Sequence, residues 1–333
     1  MLHTIEAVFM LEEPLPLYQK AQLTYTNADL SATTDELWQI HDLFTKEARQ
    51  SYVVVSPSLL DLKIEIAHRI HRNCHFCERR CSTDRSQKPG FCGVVESKYS
   101  SEFLHYGEER ELVPSHTIFF TGCTLKCVFC QNWDIARHPN AGMVCDPQAL
   151  ARRIHARSIA GSRNVNWVGG DPTPHISVIL ETMRALSTLE RESGVDARFL
   201  HVPMVFNSNA YYSTEACKLL DGVIDVYLSD FKYGNDACAH RYSNVDNYVE
   251  PVTRNLLASK DKLMIRHLVM PGHIQCCTEP IVGWVREHAP DVKFNLMFQY
   301  APYNVVNYPE MNRYLSDAER RAALNIAKGL NLI

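Results

Sequence analysis

Six short apolar segments alternate with amphipathic helical segments from residue 117 onward, and this alternation restricts the fold more than any other feature of the chain. The apolar segments lie at residues 117–121, 164–168, 202–206, 223–228, 263–269 and 292–298. The helical patterns lie at residues 147–159, 176–193, 213–220, 247–258, 279–288 and 316–329. Strands that alternate with helices form parallel sheets through right-handed crossovers. Six such units are fewer than the eight of a closed barrel, so we predict an α/β fold with an open, partial (β/α)6 TIM-like barrel.

Two further segments precede this alternating region. Residues 1–72 contain helical patterns at 31–50 and 61–72, and we predict that they form an N-terminal helical extension. Residues 73–114 are polar and rich in turns and cysteine, so they lack the apolar residues for a core of their own. We therefore predict a cysteine-rich metal-binding lobe over 73–114 and a core domain over 115–333.

Composition and charge argue against several classes of partner. The 333-residue chain has a formal net charge of −4, whereas proteins that bind duplex nucleic acid usually carry a strongly basic face. No segment approaches the ~18 uninterrupted apolar residues of a membrane span. The acidic N-terminus lacks the basic start of a secretory signal. We therefore expect a cytoplasmic protein with no membrane partner, and its charge disfavours a nucleic-acid partner.

Cysteines are concentrated in one part of the chain, with seven of the twelve between residues 74 and 130. Thiols stay reduced in the cytosol, so this clustering favours metal ligation. The last three, Cys123, Cys127 and Cys130, follow the first predicted strand with the spacing C-x3-C-x2-C. A [4Fe-4S] cluster normally takes four thiolates, so three cysteines leave one iron open to a ligand. We predict such a cluster here, with a zinc knuckle as the alternative.

The cysteine loop resembles that of the radical S-adenosylmethionine (SAM) superfamily, since an aromatic residue, Phe129, precedes its last cysteine. The run CVFCQN is similar to the glycyl-radical-enzyme activases, typified by pyruvate formate-lyase activating enzyme. The segments DFKYG, RYSN, IRHLVMPG and YPEMNR resemble an uncharacterised PflX-like subgroup of these proteins. The resemblance covers most of residues 70–330.

This resemblance implies a fold, an activity and a set of cofactors. The fold is a partial barrel of the radical SAM type, and the cofactors are SAM and a [4Fe-4S] cluster on the three cysteines. The reduced cluster would cleave SAM into methionine and a 5′-deoxyadenosyl radical that abstracts hydrogen. In activases, the hydrogen comes from a glycine of a partner enzyme or peptide. The implied partners are an electron donor such as flavodoxin or ferredoxin and a protein or peptide substrate.

Two strand ends carry residues that match the superfamily's SAM-binding motifs. Phe129, in the cysteine loop, would lie near the SAM adenine. Gly169, Gly170 and Asp171 resemble a Gly-Gly-Glu motif, in which the backbone approaches SAM and the carboxylate takes its amino group. A purely structural turn is the alternative interpretation of these three residues. Asn207 follows the third strand and would present a polar side chain to the same site.

Strands four and five end in charged residues that the resemblance also places beside SAM. Asp230 and Lys232 lie on one side of their strand and resemble an Asp-x-Lys motif, with a surface ion pair as the alternative. Arg266 matches an arginine near the SAM ribose or carboxylate. His267 is either a donor to substrate or a core histidine, and Gln299 is expected at the mouth of the substrate site.

Four cysteines upstream of the loop, Cys74, Cys77, Cys81 and Cys92, form a separate set. Four thiolates close a coordination sphere, so we predict a structural or electron-relaying site that holds zinc or a second iron–sulfur cluster. Cys145, Cys217 and Cys238 are interpreted as buried packing groups. The vicinal pair Cys276-Cys277 is interpreted in the same way, with a redox-active pair as the alternative.

Three functions compete at this point. The first is a radical SAM enzyme that abstracts hydrogen, in its most specific form from a glycine of a partner enzyme or peptide. The second is a radical SAM enzyme that modifies RNA or a small molecule. The third is a non-catalytic iron–sulfur or zinc protein that binds a partner, which the SAM-binding motifs disfavour because an electron carrier needs no SAM pocket.

Overall fold

The structure, a computed structural model, describes residues 15–46, 55–192 and 202–333. Parts of three predicted segments fall outside these ranges: residues 1–14 and 47–54 of the extension, residues 47–50 of its first helix, and residue 193 of the helix predicted over 176–193. Among the described residues, no helix is both long and apolar enough to cross a membrane.

The described chain forms one mixed sheet of eight strands in the order β3-β1-β2-β4-β5-β6-β7-β8. The strands are β1 (Lys98–His105), β2 (Ser115–Phe120), β3 (Met143–Val144), β4 (Asn164–Gly169), β5 (Met204–Ser208), β6 (Val226–Asp230), β7 (Leu263–Leu268) and β8 (Lys293–Met297). The six strands from β2 through β4 to β8 run parallel, each paired with the next. The predicted open barrel of six parallel strands is therefore confirmed.

Helices follow most strands and cover the outer face of the sheet. They are α1 (Leu17–Gln22), α2 (Thr34–Lys46), α3 (Leu59–Arg72), α4 (Trp133–Arg137), α5 (Pro147–Ile159), α6 (Ile176–Glu192), α7 (Thr214–Leu220), α8 (Asp236–Ser243), α9 (Val249–Ala258), α10 (Glu279–His288) and α11 (Asp317–Ile326). The six helices predicted after residue 115 are confirmed as α5, α6, α7, α9, α10 and α11. The N-terminal helix α3 packs on α6, and a capping box between Ser58 and Asp61 fixes its start.

Strand β1 was not predicted, and it lies inside the segment expected to form a metal-binding lobe. It pairs antiparallel with β2 at the edge of the sheet, where only the two residues of β3 cover it. Its sequence, KYSSEFLH, is polar because one face remains partly exposed. Glu102 on this strand accepts a hydrogen bond from His116 of β2 (2.7 Å) and pairs with Arg157 of α5 (3.0 Å). The division of the chain into extension, lobe and core stays a prediction.

Residues 106–114, which join β1 to β2, cross the N-terminal ends of the parallel strands. We call this segment the floor loop. Its Leu112 is buried against the inward-facing residues Val205, Leu228 and Met264, which lie on three neighbouring strands. The floor loop therefore closes the barrel at one end, and the cavity opens toward the C-terminal ends of the strands.

Substitution of Leu112 tests whether the floor loop closes the barrel. Leu112→Ala should lower the free energy of unfolding by about 2–5 kcal/mol, because it leaves a void among three buried side chains. The matched control, Leu257→Ala, removes a side chain that is 46 % exposed and should change it by less than about 0.5 kcal/mol. Urea denaturation measures both values, and equal losses would contradict the packing described here.

Candidate active site

A cavity of about 880 Å³ lies inside the open barrel, between the floor loop and the three-cysteine loop. Each parallel strand contributes at least one inward-facing residue to its wall: Phe119, Val168, Asn207, Asp230, Arg266 and Asn295. These positions alternate with buried outward-facing residues along each strand. The sheet thus brings these side chains together in one cavity, although the two farthest along the chain, Phe119 and Asn295, are 176 residues apart.

Cys123, Cys127 and Cys130 all line this cavity at its mouth. Burial raises the pKa of the Cys123 thiol well above its ordinary value, and it raises that of Cys130 to about 11. Negative charge on Asp171 and on Cys127 adds to the shift at Cys123. Buried thiols in this arrangement ionise only when a cation binds them, and the thiolate is the form that ligates metal. The three residues therefore fit the iron–sulfur cluster predicted from their spacing.

Helix α8 holds the cysteine loop from one side. The carbonyls of Tyr242 and Ser243, at the end of α8, accept hydrogen bonds from Val128 N (2.9 Å) and Lys126 N (3.2 Å). The Ser243 hydroxyl also donates to the Cys127 sulfur (2.9 Å). Since hydrogen bonds to ligating sulfurs tune the potential of a cluster, Ser243 belongs to the site. Sequence analysis missed it because α8 was not predicted.

Asp171 holds the same loop from the opposite side. Its carboxylate accepts hydrogen bonds from Thr124 Oγ1 (2.6 Å), Thr173 N (2.9 Å) and Asn209 Nδ2. The residue is 1 % exposed and does not line the cavity, and burial raises its pKa. The structure thus places the Asp171 side chain in the protein interior, where it joins three loops, and its predicted contact with the amino group of SAM stays a prediction.

Gly169 and Gly170 line the cavity. Both positions need glycine because a side chain would clash with neighbouring backbone. Gly169 has a φ of +121°, and a Cβ there would lie 2.2 Å from Phe120 N. A Cβ on Gly170 would lie 2.0 Å from the carbonyl oxygen of Gly122, directly before Cys123. The end of β4 can therefore approach the cysteine loop only through glycine.

A cation lies beside the cysteines. Lys232 lines the cavity, and its ammonium pairs with the Asp230 carboxylate at 2.7 Å. Burial alone lowers the pKa of Lys232, but the negative charges of Asp230 and Cys127 outweigh it and hold that pKa above its ordinary value. Lys232 is therefore charged at neutral pH and suits a carboxylate ligand or the thiolates of a cluster.

The aromatic and polar side chains predicted at the mouth are also found there. Phe129 lines the cavity with 4 % of its surface exposed, and its ring centroid lies 6.0 Å from that of Tyr300. Gln299 and Asn207 line the same cavity. His267 does not, because its two ring nitrogens bond to Phe231 O (2.9 Å) and Thr278 Oγ1 (3.0 Å) in the core.

The inner end of the cavity carries a charge network that sequence analysis did not identify. Arg266 pairs with both Glu108 and Glu109 of the floor loop, and its Nε lies 2.7 Å from Glu109 Oε1. Asn295 donates to Glu109 Oε1 (2.9 Å). Burial raises the pKa of Glu109, but the hydrogen bonds and charge of Arg266 outweigh it, so that pKa lies below its ordinary value. The run GEERE, acidic and next to a strand, was the available signal.

The four upstream cysteines lie together beside the cysteine loop. Burial raises the pKa of Cys77, and negative charge on Cys92, Cys74 and Cys81 adds to the shift. A Cβ on Gly122 would lie 3.0 Å from the Cys92 carbonyl oxygen, so the two sets of cysteines are neighbours through the backbone. The ligand of the upstream set stays a prediction.

Comparison with known proteins gives a family match and one close relative. The family model described as the Radical SAM superfamily matches residues 117–284. The chain is 48 % identical over 313 residues to the uncharacterized protein MJ0674 of Methanocaldococcus jannaschii, covering 90 % of this chain and 88 % of that protein.

Solved structures with similar folds include two from bacteria. SuiB of Streptococcus suis, solved bound to the precursor peptide SuiA, has a TM-score of 0.43 and 14 % identity, over 63 % of this chain and 46 % of SuiB. The chain therefore spans about half the length of SuiB. A radical SAM methyltransferase from Sphaerobacter thermophilus has a TM-score of 0.43 and 12 % identity, over 96 % of this chain and 94 % of that one.

The charge network at the inner end of the cavity can be tested by removing its cation. Arg266→Met removes the guanidinium that pairs with two buried carboxylates and should cost about 3–5 kcal/mol of stability at pH 7. The control, Arg241→Met, breaks an exposed pair with Glu310 and should cost less than about 1 kcal/mol.

The pH dependence of that loss follows from the pKa of Glu109. Pairing lowers this pKa, so its stabilisation is present above the unfolded pKa of about 4.3 and is lost as pH falls through the lower folded value. In Arg266→Met, burial still raises the pKa of Glu109 and only the hydrogen bonds from Asn295 and the backbone oppose it, so that pKa should rise and acid should relieve the penalty. The difference in unfolding free energy between wild type and variant should shrink between pH 7 and pH 4. A difference that does not change with pH would contradict the pairing.

Proposed function

The chain belongs to the radical SAM superfamily, and we propose that it cleaves SAM reductively and uses the product radical to abstract hydrogen. The observation that carries this proposal is the convergence of Cys123, Cys127 and Cys130 on one cavity whose wall includes Lys232 and Asn207. Three thiols at the mouth of a barrel whose other end is closed by the floor loop suit a cluster with one open iron. When bound, the cluster supplies the electron that breaks a carbon–sulfur bond of SAM.

The chain's own residues have separate roles in this proposal. The three cysteines hold the cluster, and the Ser243 hydroxyl orients Cys127 through its hydrogen bond (2.9 Å). Lys232, charged and held by Asp230, attracts the carboxylate of SAM. Phe129 offers an apolar ring for the adenine. The floor loop excludes water from the inner end, where a radical must survive until it meets its substrate.

Single cysteine substitutions test the cluster. Cys123→Ala, Cys127→Ala and Cys130→Ala should each abolish formation of 5′-deoxyadenosine, because two thiolates leave the cluster under-ligated. The assay is anaerobic reconstitution with iron and sulfide, followed by SAM and a strong reductant. Cys145→Ala removes a buried thiol directly after β3 and outside both predicted iron sites. It is the control and should retain activity. Product above background in the triple alanine variant would disprove the assignment.

We further propose that Cys74, Cys77, Cys81 and Cys92 hold a second iron–sulfur cluster. A single zinc ion draws its sulfurs to roughly 3.8 Å apart, as a tetrahedron with Zn–S bonds of about 2.3 Å requires. Within the described chain, three sulfur atoms that lie within 4.8 Å of one another belong to a different set of cysteines, Cys238, Cys276 and Cys277. We assign iron to the upstream four because they adjoin the three-cysteine loop, and on a multi-iron cluster each thiolate binds its own iron.

This second site would relay electrons. It lies beside the first, since Cys92 contacts the Gly122 backbone next to Cys123. Negative charge on Cys123 and on Cys92 raises the pKa of Lys126, so both thiols lie near the same ammonium group. A reduced flavodoxin or ferredoxin could then donate at the upstream site.

Metal analysis separates the two interpretations of this site. Replacing the four upstream cysteines with serine should remove about four irons per chain while the signal of the SAM-binding cluster remains in the electron paramagnetic resonance spectrum. The control, Cys217→Ser, should lose no iron. Loss of one zinc with iron unchanged would refute the second cluster, and loss of the SAM-cluster signal in a folded variant would show that the cysteines divide differently.

For the substrate, we propose a glycine Cα–H of a partner enzyme or peptide. The cavity wall is rich in hydrogen-bonding side chains, among them Asn207, Gln299 and Asn295, which suit peptide amides. No side chain shields a glycine Cα. The CVFCQN run adds the similarity to activases described above.

Isotope transfer decides the substrate. Host proteins, RNA and metabolites are prepared from fully deuterated cells, separated, and incubated individually with the reconstituted chain, SAM and reductant. Deuterium should reach 5′-deoxyadenosine from the protein fraction, with the label traced to a backbone glycine by mass spectrometry. Transfer only from the RNA or metabolite fraction would eliminate the glycyl substrate and leave reductive SAM cleavage intact.

A further inference from the structure

Three cysteines outside both predicted iron sites converge at one point. The sulfur atoms of Cys238, Cys276 and Cys277 all lie within 4.8 Å of one another. Cys238 belongs to the first turn of α8, and the other two belong to a π-helical turn, Ile274–Thr278, that leads into α10. All three are free thiols, and the Cys238 and Cys276 sulfurs are 3.9 Å apart. This arrangement revises the interpretation of these cysteines as separate packing groups.

The surrounding backbone is shaped to bring these thiols together. A Cβ on Gly234 would lie 2.7 Å from Cys277 O and 2.9 Å from Cys276 O, so the segment after β6 can approach the turn only through glycine. Asn235 Nδ2 donates to Cys276 O (2.6 Å) and to the Cys238 sulfur (3.4 Å). π-Helical turns are rare and occur often at functional sites. Two elements 38 residues apart are thus joined at the thiols.

We propose that Cys238, Cys276 and Cys277 bind one zinc ion, with its fourth position open to water. Thiolate sulfurs select thiophilic ions such as zinc. The observed 3.9 Å separation matches the roughly 3.8 Å expected between sulfurs on one tetrahedral zinc. Cys238 and Cys276 are only half-buried, so water can reach the open position. Asn235 supplies the outer hydrogen bond that metal-bound thiolates commonly accept.

The location of this ion gives it a structural role. Cys238 stands at the start of α8, and the last residues of α8 hold the three-cysteine loop through Tyr242 O, Ser243 O and the Ser243 hydroxyl. Zinc would fix the start of α8 to the turn after β7. The helix then carries that restraint to Cys127. This site differs from the iron sites because its ligands come from α8 and the turn alone.

Zinc binding to the full chain tests the proposal once both iron sites are reconstituted and iron content is verified. Wild type should take up one tightly bound zinc per chain in competition with a chromophoric chelator, and the triple Cys→Ser variant should lose that equivalent. Cys217→Ser, at a half-buried thiol of α7, should retain it. Asn235→Ala should weaken zinc binding by about 10–100-fold.

Three results would overturn the proposal. One is equal zinc uptake by wild type and the triple variant. Another is a Cys238–Cys276 disulfide found by peptide mass spectrometry in protein purified anaerobically. The third is tight binding of Cu⁺ with no binding of Zn²⁺. If the triple variant fails to fold, Cys238→Ser at the helix start decides the matter, since it should also lose the zinc while iron content and circular dichroism stay unchanged.

Discussion

The hydrogen bond from the Thr124 hydroxyl to the buried Asp171 carboxylate, 2.6 Å long, joins the cysteine loop to the next strand of the barrel. An ionised carboxylate in the interior is costly unless several donors satisfy it. Thr173 N and Asn209 Nδ2 supply further donors, so the ends of β4 and β5 and the cysteine loop share one acceptor. The position of Cys123, directly before Thr124, therefore depends on a buried group that does not itself line the cavity.

Close backbone contact completes the support of the loop. Gly170 lies against the Gly122 carbonyl, where any Cβ would clash at 2.0 Å. From the opposite side, the end of α8 supplies two carbonyls and the Ser243 hydroxyl. Protein contacts on both sides thus restrain the backbone of the loop. This restraint limits the freedom of its three cysteines and lowers the cost of ordering them around a cluster.

The sequence predicted the barrel well because its strands and helices carry local periodic signals. The helix α5 begins and ends at the predicted residues, 147 and 159. Strand β1 has no such signal. Lys98, Ser101 and their polar neighbours suit the edge of a sheet, and they form a strand only because they pair with β2. Helix α8 was missed for a related reason, because it has only eight residues, half of them polar, and is too short to show an apolar periodicity.

The site was predictable where a residue acts through spacing and unpredictable where it acts through tertiary contact. The three-cysteine loop was identified from its spacing, and Lys232 and Phe129 from the resemblance to family motifs; all line one cavity. Asp171 was also identified, but the direction of its side chain depends on Thr124 and Asn209, which no local pattern links to it. Glu109 reaches Arg266 across 157 residues, a pairing that appears only when the floor loop folds under the strands.

The central claim is that three protein thiolates hold the cluster and that SAM occupies the remaining iron. Electron–nuclear double resonance on the reduced, iron-loaded chain tests it directly, using SAM labelled with ¹⁵N in its amino group and ¹⁷O in its carboxylate. We expect hyperfine coupling from both labels to the cluster. SAM that binds without either coupling, or a cluster whose fourth iron is held by another cysteine of the chain, would contradict the account.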